Sequence, residues 1–114
     1  MIRIYHNNRC SKSRATLALL EQHGAPFEVI HYLDVPPSTV ELKTLLHQLG
    51  MTARQLLRTG EDDYKALNLD DTTLADEALI AAMVSHPKLI ERPIVVVNDK
   101  AVLGRPPEAV LAIL

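Results

Sequence analysis

Residues 2–20 of the chain read IRIYHNNRCSKSRATLALL, and this stretch gives the clearest indication of the fold. Its first four residues, Ile2–Tyr5, have the composition of a short β-strand, and the polar residues after them are typical of a turn. From about Ser11 the apolar residues recur at helical spacing, and Gly24 is a helix stop signal. The sequence therefore predicts a strand, a polar loop and a helix, with Cys10 at the junction of loop and helix.

The remaining strands lie at either end of the chain. Residues 27–32 are strand-like, so the first part of the chain has the order β-α-β. Ile94–Val97 and residues 101–103 are predicted to form a hairpin, and a last helix opens at Pro106. This helix carries the apolar residues Val110, Leu111 and Leu114. A β-α-β unit followed by a hairpin and a helix is the pattern of a thioredoxin-like α/β fold.

The segment between these halves is predicted to be helical over about residues 38–86. Ser38 and Glu41 have the spacing of a capping box, and Gly50 marks the end of the helix that they open. Further helical segments are predicted over residues 53–58, 61–67 and 76–84. The residues expected to face the core are Leu42, Leu45, Leu46, Leu49, Leu79, Ile80, Met83 and Val84. We therefore predict a single domain over residues 1–114, with a helical insertion at about 38–86.

Charge and hydropathy exclude several classes of function. The formal net charge is −2, so the chain has no general attraction to nucleic acid or to an anionic membrane, and any anion site must be a local cluster of basic residues. The longest apolar run, residues 78–84, is too short to span a bilayer, and the N-terminus has no apolar signal segment. We expect a cytoplasmic protein that binds neither nucleic acid nor membrane.

The chain contains one cysteine, Cys10. A lone cysteine excludes an intramolecular disulfide and a zinc finger, and the scattered histidines have no metal-ligand spacing, so no metal site is predicted. Ser13 makes the motif C-x-x-S, so a thiol-exchange cycle must take its second thiol from glutathione or another protein. Thr16 stands where the C-x5-R loop of low-molecular-weight phosphatases needs arginine, which excludes that class. The hydroxyls of Ser11 and Ser13 are candidates for capping the helix or for a catalytic role.

The neighbours of Cys10 favour a reactive thiolate. Only the thiolate is a good nucleophile, so reactivity requires a lowered pKa. A helix N-terminus offers free N–H groups and the positive end of a dipole. The cationic residues close by in sequence are Arg9, Lys12 and Arg14, with His6 nearby. The alternative is a small buried core residue, the commoner role of a free cysteine, but polar and cationic neighbours argue against an apolar pocket.

Three distant arginines also stand in distinctive settings. Arg92 precedes Pro93 and the third predicted strand, whereas Arg105 lies just beyond the hairpin and Arg58 belongs to the insertion. In a thioredoxin-like fold the segment before the third strand, often with a cis proline, meets the N-terminus of the first helix. Arg92 and Arg105 are therefore expected beside Cys10, where their planar guanidinium groups suit an oxyanion. Taken singly, each arginine is more often an ordinary surface residue than part of a site, and the case for a site comes from the fold that brings two of them beside Cys10.

Taken together, these residues resemble the glutaredoxin-dependent arsenate reductase family over nearly the whole chain. The matching segments are residues 4–7 with Cys10, Ser13-Arg14, Thr16-Leu17, Tyr32-Leu33, Pro36-Pro37, and residues 56–58, 91–95 and 104–106. Asn8, Arg9 and Ser11 stand where the well-studied members have a proline and small residues. The chain is most similar to a short subgroup whose loop reads R-C-S-K-S-R.

The resemblance implies a thioredoxin-like domain with arsenate reductase activity. It implies that Cys10 attacks arsenate and that His6 lies near the thiolate. The arginines that match those holding the oxyanion are Arg58, Arg92 and Arg105. In the family's cycle the cysteine–arsenate adduct takes up glutathione, glutaredoxin resolves the mixed adduct, and arsenite leaves. We therefore expect arsenate, glutathione and glutaredoxin as partners, glutathione as a co-substrate with no bound cofactor, and a monomeric protein.

Two other functions stay open at this point. Spx-type transcriptional regulators share this fold and bind RNA polymerase, but they typically carry a redox C-x-x-C motif that Ser13 interrupts here. A monothiol, glutathione-dependent reductase of another substrate, such as a protein mixed disulfide, needs the same lone cysteine.

Overall fold

The computed structural model describes residues 1–114 and contains a four-stranded sheet with the strand order β2-β1-β3-β4. The strands are β1 (Ile2–Tyr5), β2 (Phe27–Ile30), β3 (Ile94–Val97) and β4 (Lys100–Leu103). β1 pairs with β2 in parallel and with β3 antiparallel, and β3 pairs antiparallel with β4. This β-α-β and β-β topology confirms the thioredoxin-like α/β fold that the sequence predicts.

The chain divides into two compact units. The first consists of Met1–Val35 and Arg92–Leu114, and the second of Pro36–Glu91. The first unit contains the sheet, the helix α1 (Ser11–His23) and a 3₁₀ helix (Pro107–Ala112). As predicted, α1 ends at a glycine in the left-handed conformation, with φ of 86°, which an L side chain rarely adopts.

The core of the first unit brings together one face of the sheet, α1 and the 3₁₀ helix. Its buried members are Ile2, Ile4, Leu20, Val95 and Val110. The predicted last helix is present, but it is a 3₁₀ helix and not an α-helix, and Leu111 on it is 54% exposed. A 3₁₀ helix has three residues per turn, so Val110 and Ile113 share the face that packs on the core, and Leu111 points elsewhere.

The strand predicted over residues 27–32 ends two residues early. The carbonyl of His31 accepts hydrogen bonds from the N–H groups of Asp34 and Val35, both at 3.0 Å. This turn takes the backbone out of the sheet after Ile30, because a carbonyl that closes a turn does not extend the strand pairing.

The second unit is helical. Its elements are α2 (Thr39–Leu49), α3 (Ala53–Leu56), α4 (Asp62–Ala66), α5 (Asp76–Ser85) and a 3₁₀ turn (Pro87–Leu89). The capping box of Ser38 and Glu41 is present, with N–H to side-chain oxygen distances of 3.1 and 3.2 Å. Leu49 and Val84, predicted for the core, are only partly buried. Each lies in the last turn of its helix, where no following turn covers it.

The helices are short. The longest, α1, has 13 residues, and none combines the length and the apolar character needed to cross a membrane.

Candidate active site

The loop between β1 and α1 presents Cys10 directly before the first helical turn. The backbone N–H of Cys10 donates to the carbonyl of Asn7 at 3.0 Å, and the N–H of Arg9 donates to the Asn7 side-chain oxygen at 2.9 Å. Cys10 has an extended conformation, and its carbonyl accepts the first helical hydrogen bond, from Arg14, at 3.0 Å. Asn7 therefore folds the loop so that the cysteine lies at the free N–H groups of α1.

The environment of Cys10 lowers the pKa of its thiol. Burial raises that pKa, since the residue is only 8% exposed. Four interactions lower the pKa and together outweigh burial. They are a hydrogen bond from the Ser13 N–H, a hydrogen bond from Arg92, the positive charge of Arg92 and a hydrogen bond from the Lys12 N–H. The net pKa lies below the ordinary value of a cysteine, as a nucleophilic thiol requires.

The cation that lowers the pKa of Cys10 is not one of the basic residues close to it in sequence. Lys12 acts through its backbone N–H, whereas the Arg14 guanidinium donates to the carbonyl of Asn8 at 3.0 Å. The pairing of Tyr5 with Ile94 in the sheet brings Arg92 to the loop that follows β1. The guanidinium that hydrogen-bonds to the thiolate thus comes from the other half of the sheet.

Arg105 is brought to the same place. Its guanidinium donates to the carbonyl of Arg92 at 3.3 Å, and the N–H of Gly104 donates to the carbonyl of Pro93 at 2.9 Å. The Arg92–Pro93 peptide bond is cis, as expected, and so is Arg105–Pro106, which the sequence did not single out. Two of the three predicted arginines therefore join the Cys10 loop in one cluster.

Arg58 belongs to the second unit, where two carboxylates hold it. One of its terminal nitrogens lies 2.6 Å from a carboxylate oxygen of Glu91, and its Nε lies 3.4 Å from Glu61. The side chains of this group are 21–25% exposed. The assignment of Arg58 to an oxyanion stays a prediction.

A buried hydrogen-bonded chain links His6 to the start of α1. The Ser13 hydroxyl oxygen accepts the N–H of Asn7 at 3.0 Å and lies 2.6 Å from Nδ1 of His6. These two contacts tie the Ser13 hydroxyl, at the start of α1, to the residues that follow β1. The Ser13 hydroxyl therefore does not cap α1, which has no side-chain cap; it braces the loop instead.

His6 is held as a neutral imidazole. Burial is the main cause that lowers its pKa, and the charges of His31 and Arg14 lower it further, against a hydrogen bond with Asn8 that raises it. The His31 ring meets His6 edge to face, with 6.0 Å between ring centres. A histidine with a pKa below its ordinary value is uncharged at neutral pH. His6 thus helps to hold the loop in its conformation. No group of three or more His, Cys, Asp or Glu side chains is placed to hold a metal ion.

The bracing role of Ser13 is testable. Ser13→Ala is expected to lower the free energy of unfolding by about 2 kcal/mol, because the buried Asn7 N–H and His6 Nδ1 each lose this partner. Urea denaturation followed by circular dichroism measures the change. Ser11→Ala, at an exposed position in the same helical turn, is the control, with an expected change within about 0.5 kcal/mol. Equal losses in the two variants would contradict the assigned hydrogen bonds.

The role of Arg92 predicts a change in the pH dependence of the thiol. In Arg92→Gln, Cys10 should be alkylated by iodoacetamide with an inflection at higher pH than in the wild type, because the thiolate loses both a hydrogen bond and a neighbouring positive charge. Arg9→Gln is the matched control and should shift the inflection much less. A larger shift from Arg9 than from Arg92 would overturn this assignment.

The chain is similar to known proteins over almost its whole length. A model of the ArsC family matches residues 5–113. Over 114 residues the chain is 58% identical to Uncharacterized protein YfgD of Escherichia coli (strain K12), which covers 99% of this chain and 96% of that protein. It is 51% identical over 114 residues to an arsenate reductase of Neisseria meningitidis (serogroup A, strain Z2491), and the match covers 99% of this chain and 97% of that protein. The structure of an arsenate reductase from Vibrio cholerae matches with a TM-score of 0.96 and 59% identity, and the match covers 99% of this chain and 97% of that one.

These matches agree with the observed fold. They extend across the sheet, the helical second unit and the segment that carries Arg92 and Arg105. The chain belongs to the ArsC family.

Proposed function

We propose that the protein reduces arsenate to arsenite, with Cys10 as the nucleophile, glutathione as co-substrate and glutaredoxin as the second thiol donor. The observation that carries the proposal is the thiol at the start of α1, hydrogen-bonded by the Ser13 N–H and by Arg92. The names of the Neisseria and Vibrio relatives support arsenate as the substrate. The single cysteine supports a donor outside the chain, since no second thiol is present to resolve an intermediate.

The arginines have an electrostatic task in this proposal. A thiolate and arsenate are both anions, so their approach is opposed by charge repulsion unless cations offset it. Arg92 is hydrogen-bonded to Cys10, and Arg105 is hydrogen-bonded to the Arg92 carbonyl. Their guanidinium groups would bind the arsenate oxygens and stabilise the charge that develops during attack. Arg58 would supply a third cation, as the family resemblance implies.

The proposed cycle has four balanced steps. The Cys10 sulfur bonds to arsenic(V) and one arsenate oxygen leaves as water. Glutathione then bonds to the same arsenic, and its thiol proton leaves with a second oxygen as water. A glutaredoxin thiol bonds to the glutathione sulfur, the electron pair of the sulfur–arsenic bond stays on arsenic, which becomes arsenic(III), and the thiol proton goes to an arsenic-bound oxygen. Water finally releases arsenite and the Cys10 thiol.

A coupled assay tests the proposal. The purified protein is mixed with arsenate, glutathione, glutaredoxin, glutathione reductase and NADPH, and each component is omitted in turn. We expect NADPH consumption that requires arsenate, glutathione and glutaredoxin together, because the electrons pass through thiols alone. This cycle needs a reduced glutathione pool, in agreement with a cytoplasmic location.

Failure of the assay would point to the other two functions. If the folded protein consumes no NADPH with arsenate but does so with a glutathionylated peptide, it is a monothiol reductase of mixed disulfides. If neither substrate is turned over and RNA polymerase subunits are retained from a lysate, it is a regulator. Either result would overturn the arsenate proposal.

A further inference from the structure

A pocket of about 270 Å³ opens beside the loop that carries Cys10. Two of its lining residues, His6 and Asn7, are buried, and two others, Asn8 and Arg9, are exposed. All four precede Cys10 directly in the chain. A molecule in this pocket therefore lies against the loop that presents the nucleophile.

The pocket carries one charge of each sign. Arg9 lines it from the Cys10 loop, and Asp34 lines it from the turn after β2 together with His31 and Leu33. Neither Arg9 nor Asp34 takes part in an ion pair of the chain. A guanidinium and a carboxylate at the edges of one pocket are complementary to an α-amino acid head group, since the first binds its carboxylate and the second its ammonium group.

The size of the pocket limits what it can hold. Drug-sized ligands usually occupy about 300–1,000 Å³, so a pocket of about 270 Å³ accommodates one end of a tripeptide. The rest of such a molecule would extend along the loop. The reacting thiol must come from another molecule, because the chain has no cysteine besides Cys10.

We propose that this pocket binds the γ-glutamyl end of glutathione through Arg9 and Asp34 and so holds its sulfur for reaction at Cys10. The inference rests on the proposed function, in which glutathione is the co-substrate. The bound thiol forms a sulfur–arsenic bond with the Cys10–arsenate adduct, and its proton leaves with an arsenic-bound hydroxyl as water. Arsenic stays in the +5 state during this step, since the electron pair is transferred only when glutaredoxin reacts.

Binding of S-methylglutathione tests the site without any turnover. This probe keeps the head group but has no thiol, so it binds independently of arsenate reduction. In ¹⁵N spectra of the wild-type protein we expect shifts concentrated in residues 6–9 and 31–34. Asp34→Asn and Arg9→Gln should each raise the Kd about fivefold, as the loss of one ion pair predicts. Asp99→Asn, in the turn between β3 and β4, and Lys100→Gln, at the start of β4, are the matched controls and should leave the Kd unchanged.

The coupled assay separates failure of the pocket from failure of the function. The same two variants should raise the KM for glutathione about fivefold, whereas Asp99→Asn and Lys100→Gln should leave it unchanged. Arsenate turnover with an unaltered KM for glutathione, or S-methylglutathione shifts outside these two segments, would overturn the pocket while the proposed function stands. The expected shifts and Kd changes without arsenate turnover would support the pocket and contradict arsenate as the substrate.

Discussion

Cys10→Ser is expected to abolish arsenate-dependent NADPH consumption, a loss of roughly a thousandfold or more. Serine has nearly the same shape, but its hydroxyl is not ionised at neutral pH. The Ser13 N–H and Arg92, which favour the thiolate, would then face a neutral group that does not attack arsenic. No other cysteine of the chain can take over.

The measurement needs a check on folding. Cys10→Ser is close to isosteric, so the melting temperature should stay within a few degrees of the wild type. Ser85→Ala, at an exposed position in the second unit, is the activity control and should turn over arsenate at the wild-type rate. A folded Cys10→Ser protein that keeps more than a tenth of the activity would exclude Cys10 as the nucleophile.

Gly104→Ala has the largest expected effect on stability. A Cβ at this position would overlap the Thr16 hydroxyl oxygen, lie 2.7 Å from the Pro93 ring and lie 3.1 Å from the Thr16 methyl group. Thr16 is fully buried, and its hydroxyl is hydrogen-bonded to the Lys12 carbonyl at 2.9 Å, so it cannot move aside freely. We expect a loss of about 3 kcal/mol in the free energy of unfolding, the upper part of the usual cost of overpacking.

Gly60→Ala is the matched control for this substitution. No atom lies within 4 Å of a Cβ at Gly60, and its backbone is not left-handed, so stability should be unchanged or slightly higher. Thermal unfolding of the two variants beside the wild type measures the difference, which should be on the order of 10 °C or more. Equal melting temperatures for Gly104→Ala and Gly60→Ala would show that Gly104 does not lie in close contact with Thr16 and Pro93.

The elements of the fold were predictable where the signal is local. The first strand, the start and end of α1 and the capping box at Ser38 follow from residues that lie close together in sequence. The type of the last helix, by contrast, depends on packing. The 3₁₀ form of Pro107–Ala112 places Val110 in the core and leaves Leu111 exposed, and no periodicity of so short a segment distinguishes it from an α-helix.

The candidate site was predictable to a different degree for each residue. Cys10 at a helix N-terminus follows from a strand, a polar loop and a helix in succession. The hydrogen bond of Ser13 with His6 had no signal in the sequence, because it joins residues on either side of a loop whose conformation no local pattern encodes. Arg92 and Arg105 were expected near Cys10 only through the fold, and the structure joins both to this cluster.

The order of the elements and the presence of one candidate nucleophile, with no second thiol in the chain, follow from the sequence alone. Which cation hydrogen-bonds to the Cys10 sulfur depends on the tertiary structure. Arg9 is adjacent to Cys10 in sequence, yet it is Arg92 that hydrogen-bonds to the sulfur. The antiparallel pairing of β1 with β3 carries Arg92 to the loop. Electrostatic interactions depend on the distance between the charges, and the pairing of the strands sets the distance between Arg92 and Cys10.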